Sequence, residues 1–178
     1  MDKALLRSTL QTFKNNYALV QAGIALMAAP DALERIEETF AHVKGHPEAS
    51  TFLYIGYVFK TDELLKHATQ ELRNSVIRNC LKETFELVKS YGKETQQADV
   101  IRAAPWYQFL RIVRNSLSHD LRIDFRESDL KHLPVTWSGL TLDRSMQNSP
   151  LQSSGFLWRA KSLELIDAVI EYVEQHVS

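Results

Sequence analysis

A single cysteine, Cys80, occurs among 178 residues, which excludes an intrachain disulfide and any small fold stapled by several of them. Long apolar runs are missing too. The most hydrophobic window, YALVQAGIALMAAP, falls short of the ~20 residues that span a bilayer. MDKALLRSTL lacks the uninterrupted apolar core of a signal peptide. A reducing cytoplasm and no membrane partner are the expectations. The six glycines form no phosphate-cradling loop, so nucleotide hydrolysis of the P-loop kind has no support. Excess positive charge is absent as well: the net charge is -1, so any attraction to nucleic acid has to come from a local concentration of cations.

What is present is an ordinary globular composition, 44% hydrophobic and 24% charged, at a length that suits one domain with a real core. The charges are unevenly spread. Residues 1–99 carry 12 basic and 13 acidic side chains, residues 100–131 carry 6 and 4, and residues 132–178 carry 3 and 5. Only the middle block is net positive, and within it Val100 to His119 holds Arg102, Arg111 and Arg114 with no acid at all.

Hydrophobic periodicity predicts an all-α, up-down helical bundle. Leu6, Leu10, Phe13, Tyr17, Val20, Ile24 and Met27 recur in steps of four and three, the seam of a long helix packed lengthwise on a neighbour. After Pro30, Asp31 with Glu34 reads as a capping box opening a helix to about Val43, which Gly45 and Pro47 end. STFLYIGYVFK, residues 50–60, is rich in strand-forming types but is read as helix from its neighbourhood. Thr61 can cap the next long helix, in which Leu64, Leu65, Leu72, Val76, Ile77, Cys80, Leu81, Phe85 and Val88 keep helical spacing and Gly92 is the stop. From about Asp99 a third helix carries Trp106, Phe109, Leu110, Val113 and Leu117 on one stripe, restarted or kinked by Pro105. LPVTWSGLTLD alternates around Ser138-Gly139, a small β-hairpin insert at about 133–143. After the loop DRSMQNSPLQSSG, a last amphipathic helix turns Leu163, Ile166, Ile170 and Val173 inward.

The chemistry-bearing stretch is RIVRNSLSHDLRIDF, Arg111 to Phe125. At about 100° per residue with Trp106 as origin, the apolar stripe lies within about 60°, Arg114 near 80°, Asn115 near 180° and His119 near 220°. Asn115 and His119 are i,i+4 neighbours on a face turned away from the stripe. Arg114 and His119 stand roughly 140° apart on a straight helix, so they meet only if the helix end unwinds or a second copy lies alongside. Two readings compete. Asn115, Ser118, His119 and Asp120 can close a helix C-terminus, where a cationic His is favourable and short polar side chains satisfy carbonyls. The same residues can instead form a site.

Arg114-Asn115 followed by Ser116, Leu117, Ser118 and then His119, at the end of the last long helix of an α bundle, resembles the HEPN superfamily. The family motif is Arg, four to six residues, then His, with a polar residue directly after the Arg. Bare spacing also matches Arg35 with His42 and Arg126 with His132, but apolar Ile36 and acidic Glu127 follow those arginines. The hairpin is similar to an insert in a branch of plasmid and bacterial genome proteins. The resemblance implies one helical domain over residues 1–178, a homodimer whose two motifs line one cleft, and a metal-independent endoribonuclease with a toxin-like or defence role and an antitoxin partner. It equally accommodates a catalytically inactive module that binds RNA or protein.

In the ribonuclease reading His119 exchanges protons with the ribose 2′-OH and the leaving 5′ oxygen, and Arg114 holds the scissile phosphate with its planar fork. Asn115 orients one or the other. Arg111, Tyr107 and Arg122 guide the RNA backbone or stack a base. No cofactor and no metal is implied. Ser118, His119 and Asp120 carry the letters of a hydrolase triad, yet consecutive residues cannot converge on one reacting atom. His42 and His46 are separated by Gly45 and lack the Cys or carboxylate companions of a zinc set.

Overall fold

The computed structural model describes residues 1–42, 55–118, 122–151, 156–157 and 159–178. The described chain is an all-α bundle with a small β insert. Its helices are α1 (Lys3–Met27), α2 (Ala32–His42), α3 (Ile55–Val58), α4 (Asp62–Glu94), α5 (Ala98–Arg102), α6 (Tyr107–Ser118), α7 (Glu127–Leu130) and α8 (Arg159–His176); strands β1 (Val135–Trp137) and β2 (Leu140–Leu142) lie between α7 and α8. None of these helices is long and apolar enough to cross a membrane. Two compact units emerge, residues 1–15 with 77–178, and residues 16–76.

The larger unit contains every one of the largest fully buried side chains. Leu6 and Leu10 of α1, Ile77 and Leu81 of α4, Ile101 of α5, and Phe109, Leu110 and Ile112 of α6 are among them. Burying side chains of this size stabilises by about 1.5–3 kcal/mol each, which makes this the energetic centre of the chain. Outer links tie α1 to α8: Lys14 pairs with Asp167, Arg7 pairs with Glu174, and Lys3 Nζ donates to the Glu174 carbonyl at 3.0 Å. At the other edge Tyr172 of α8 donates its hydroxyl to the Val100 carbonyl at 2.9 Å, and its ring meets Trp106 edge-on at 5.9 Å.

Among the described residues of the smaller unit, Tyr17, Ile24 and Ala32 are the buried apolar side chains. Leu64 and Leu65 are half-covered, and Leu72, which helical spacing puts inward, is 42% exposed. Arg73 Nε donates to Gln21 Oε1 at 3.0 Å within this unit.

Several expectations take a different form. Thr61 does cap α4, its hydroxyl accepting from Leu64 N at 3.2 Å. Gly92 is not the stop: α4 runs on to Glu94, and the chain turns at Gln96, whose φ is 60°. Gly92 is required for a different reason. A Cβ there would stand 2.8 Å from Ile101 Cγ1, so the missing side chain is what lets α5 pack against α4. In the 50–60 stretch α3 is helical, while 50–54 lie outside the described residues, as do Gly45, His46 and Pro47. Pro105 separates α5 from α6, as its missing N–H requires. On α8 the buried stripe is Ser162, Leu165, Ile166, Val169 and Val173. Leu163 and Ile170 are only half-covered, because the true stripe follows i, i+3, i+4, i+7 from Ser162 and a polar residue was not counted into it.

The hairpin forms as its alternation predicts. Val135 faces Leu142, Thr136 faces Thr141 and Trp137 faces Leu140, across a turn in which Ser138 (φ 47°) and Gly139 (φ 79°) both take the left-handed conformation of a type I′ connection. Val135 and Leu142 are buried, and the Trp137 ring lies 5.7 Å from Phe109 of α6.

Candidate functional site

α6 carries Tyr107, Arg111, Arg114 and Asn115, and it is buried almost all round. Ile112, about 120° round from Trp106, and Ser116, about 80° round, are fully buried, as are Phe109, Leu110 and Val113 on the stripe itself. The expected outward polar face is therefore corrected: Asn115 is only 7% exposed, because α6 is a central helix with neighbours on both sides. His119 and Asp120 follow directly and lie outside the described residues.

Arg114 is the most available of the α6 cations. Its side chain is 28% exposed and its Nη1 donates to Asn115 Oδ1 at 3.3 Å, so the two motif residues touch. Its Nη2 stands 2.5 Å from Glu86 Oε1 of α4, an ion pair in which that oxygen nevertheless receives no aligned hydrogen bond. The Arg114 Nε has no hydrogen-bond partner among the described residues. That Nε and the Glu86 Oε1 are both buried, so an oxyanion can directly meet only the exposed part of the guanidinium.

Arg111 is committed elsewhere. Its Nη2 donates to Asp129 Oδ1 at 2.5 Å, and Asp129 is 0% exposed. The other carboxylate oxygen, Oδ2, accepts from the Arg126 backbone N–H at 2.9 Å, capping α7. Arg111 therefore neutralises a buried carboxylate that joins α6 to α7. Tyr107 is buried too, its ring 5.5 Å from Phe85 and 6.2 Å from Trp106. Arg122 is exposed, and its Nη1 donates to the Asn148 carbonyl at 2.7 Å.

That last contact belongs to a clasp absent from the sequence reading. Ile123 N donates to the Ser149 carbonyl at 2.9 Å, Asn148 N to the Ile123 carbonyl at 2.8 Å, and Phe125 N to Gln147 Oε1 at 3.0 Å. The segment just after His119 is thereby stapled to the loop before α8. Glu86 and Asp129 were missed as well. Glu86 lies 28 positions before Arg114 on a different helix, and no local pattern reveals the pairing; the Arg126-to-Asp129 spacing of a cap was the one available hint for Asp129.

No family model, curated protein or solved structure matches the chain. The functional reading rests on the side chains themselves. Arg114 and Asn115 are brought together, Arg111 and Tyr107 are taken into the packing, and Arg122 is held in the clasp.

Proposed function

We propose that the protein is a metal-independent endoribonuclease of the HEPN kind, acting as a homodimer in a toxin-like or defence role. The observation that carries this reading is the Arg114 guanidinium: partly exposed, and hydrogen-bonded to Asn115, near the end of α6. An RNA phosphate would meet the exposed part of the guanidinium through charge-assisted bonds, and the fixed cation would stabilise the charge that builds on the phosphoryl oxygens. His119, five residues on, would draw the proton from the 2′-OH. The second copy's His119 would return one to the departing 5′ oxygen. The products are a 2′,3′-cyclic phosphate and a 5′-OH.

A second reading, a catalytically silent module that binds RNA or protein, is favoured by the Arg114–Glu86 pair, since any phosphate reaching Arg114 has to displace that carboxylate. Incubating purified protein with total RNA in EDTA separates the two. The ribonuclease reading expects discrete cleavage that falls by at least about a hundredfold in both Arg114→Ala and His119→Ala, with unchanged melting temperature. Intact RNA with the wild type, or cleavage that survives both substitutions, contradicts it.

A further inference from the structure

In the unit of residues 16–76, Leu19 and Leu26 of α1 are 69% and 70% exposed. Seven positions apart, they lie within about 20° of one another around the helix and form one stripe. Between them Ala22 is exposed, and a Cβ added to Gly23 would meet nothing within 4 Å. The stripe runs into a groove of about 260 Å³ between the end of α1 and α2, lined by Leu26, Met27, Ala29, Ala32, Ile36 and Thr39. A single exposed leucine is ordinary, but two leucines continuous with an apolar groove mark a surface for association. The charges beside it indicate the partner. Asp31, Glu34 and Glu38 follow at i, i+3 and i+7 along one flank of the groove-lining residues of α2. Arg35, the one lysine or arginine of α2, is held by Asp31 at 2.7 Å, while Glu34 and Glu38 are exposed and neither is ion-paired among the described residues. Residues 16–76 carry 8 acidic and 5 basic side chains, against 14 and 16 in the rest of the chain.

We propose that this face is a docking site for a basic amphipathic helix of a partner protein, its apolar side chains seated on Leu19, Leu26 and the groove and its lysines or arginines set against Glu34 and Glu38. Leu19 to Leu26 and Ala32 to Thr39 each span two helical turns, about 10 Å, the length covered by anchors at i, i+3 or i+4 and i+7. The small side chains at 22 and 23 let an incoming helix come close to α1, and the flexible thioether of Met27 adapts to whichever anchor enters the groove. Opposite charge on the partner's flanks speeds encounter and rejects wrong partners. RNA and anionic lipid are repelled by the same carboxylates. A second copy of the chain would bring the same acidic excess to a self-complementary interface. The site is independent of the cleavage reading, since neither Arg114 nor His119 belongs to residues 16–76.

Fluorescence anisotropy with the full-length protein tests it, using three labelled synthetic helical peptides of about 18 residues, five turns each. The first carries leucines at i, i+3 and i+7 flanked by lysines, the second has glutamates in place of those lysines, and the third holds the residues of the first in scrambled order. The lysine peptide is expected to bind with a Kd below about 100 µM, more weakly as salt is added, and the other two at least about tenfold less tightly. Leu19→Gln with Leu26→Gln, and separately Glu34→Gln with Glu38→Gln, each lowers its affinity by at least about fivefold at low salt. All four side chains are exposed, so the melting temperature stays unchanged, and Leu5→Gln, at an exposed leucine elsewhere on α1, has no effect on binding. Three peptides bound alike, no binding of the lysine peptide at about 1 mM, or an affinity untouched by either double variant overturns the proposal. So does a dimer of the chain that Leu19→Gln with Leu26→Gln disperses in sedimentation, which would give the face to a second copy.

Discussion

Three arginines spaced along one acid-free stretch have acquired three different tasks. Arg111 neutralises the fully buried Asp129, Arg114 stays partly open beside Glu86, and Arg102 makes an exposed pair with Asp99. Removing one partner of a buried pair leaves an uncompensated charge, so Arg111→Ala should lower stability by about 3–5 kcal/mol. A denaturant midpoint equal to wild type would instead mean that Arg111 is dispensable to the fold and free for a ligand. Glu86→Gln acts the other way. With its competing carboxylate neutralised, Arg114 should bind single-stranded RNA more tightly, by about three- to tenfold at low salt, and the gain should shrink as salt screens it. Unchanged or weaker binding counts against Arg114 as a phosphate ligand. Cys80 offers a pH test. Burial pushes its thiol up from 9.0 to about 11, against a smaller lowering by its own backbone, and the protonated thiol donates to the Phe13 carbonyl at 3.1 Å. A raised folded value gives stability that is complete below pH 9 and is lost as the pH climbs to about 11, on the order of 3 kcal/mol in all. Comparing unfolding midpoints at either end of that window for wild type and Cys80→Ala checks it; an identical pH slope in both denies the effect.

At the scale of elements, what the chain announces locally is what forms. The Thr61 cap, the Pro105 break and the Ser138-Gly139 turn each follow from one residue's backbone chemistry, and each is found where that chemistry requires it. Features that need a distant partner were not legible. A helical wheel drawn from one stripe leaves the far side of α6 to solvent, whereas packing there buries Ile112 and Asn115. The same holds for the clasp between 122–125 and 147–150, whose bonds join segments that are each irregular. Gly92 shows how one residue admits two explanations: a glycine near a helix end reads as a stop, yet here it is the contact point of two helices. Gly92→Ala should therefore destabilise by about 1–3 kcal/mol through overpacking against Ile101, despite the ~1 kcal/mol that alanine gains in helix propensity. A rise in melting temperature would show that α5 yields freely.

At the scale of the whole molecule, the burial among the described residues is concentrated in the unit that also holds α6 and the clasp. A site that depends on a guanidinium held within a fraction of an ångström benefits from such a setting, since rigid packing fixes the geometry that catalysis needs. Among the described residues of the unit 16–76, the buried apolar side chains are Tyr17, Ile24 and Ala32. The account's central claim is that Arg114 and His119 direct a ribose 2′-OH onto its own phosphate. A single 2′-deoxy substitution at a mapped cleavage position of a synthetic RNA tests this most directly. The expected result is loss of that cut alone, with neighbouring cuts still ending in a 2′,3′-cyclic phosphate and a 5′-OH. Undiminished cutting at the 2′-deoxy position, leaving a 5′-phosphate, would contradict it.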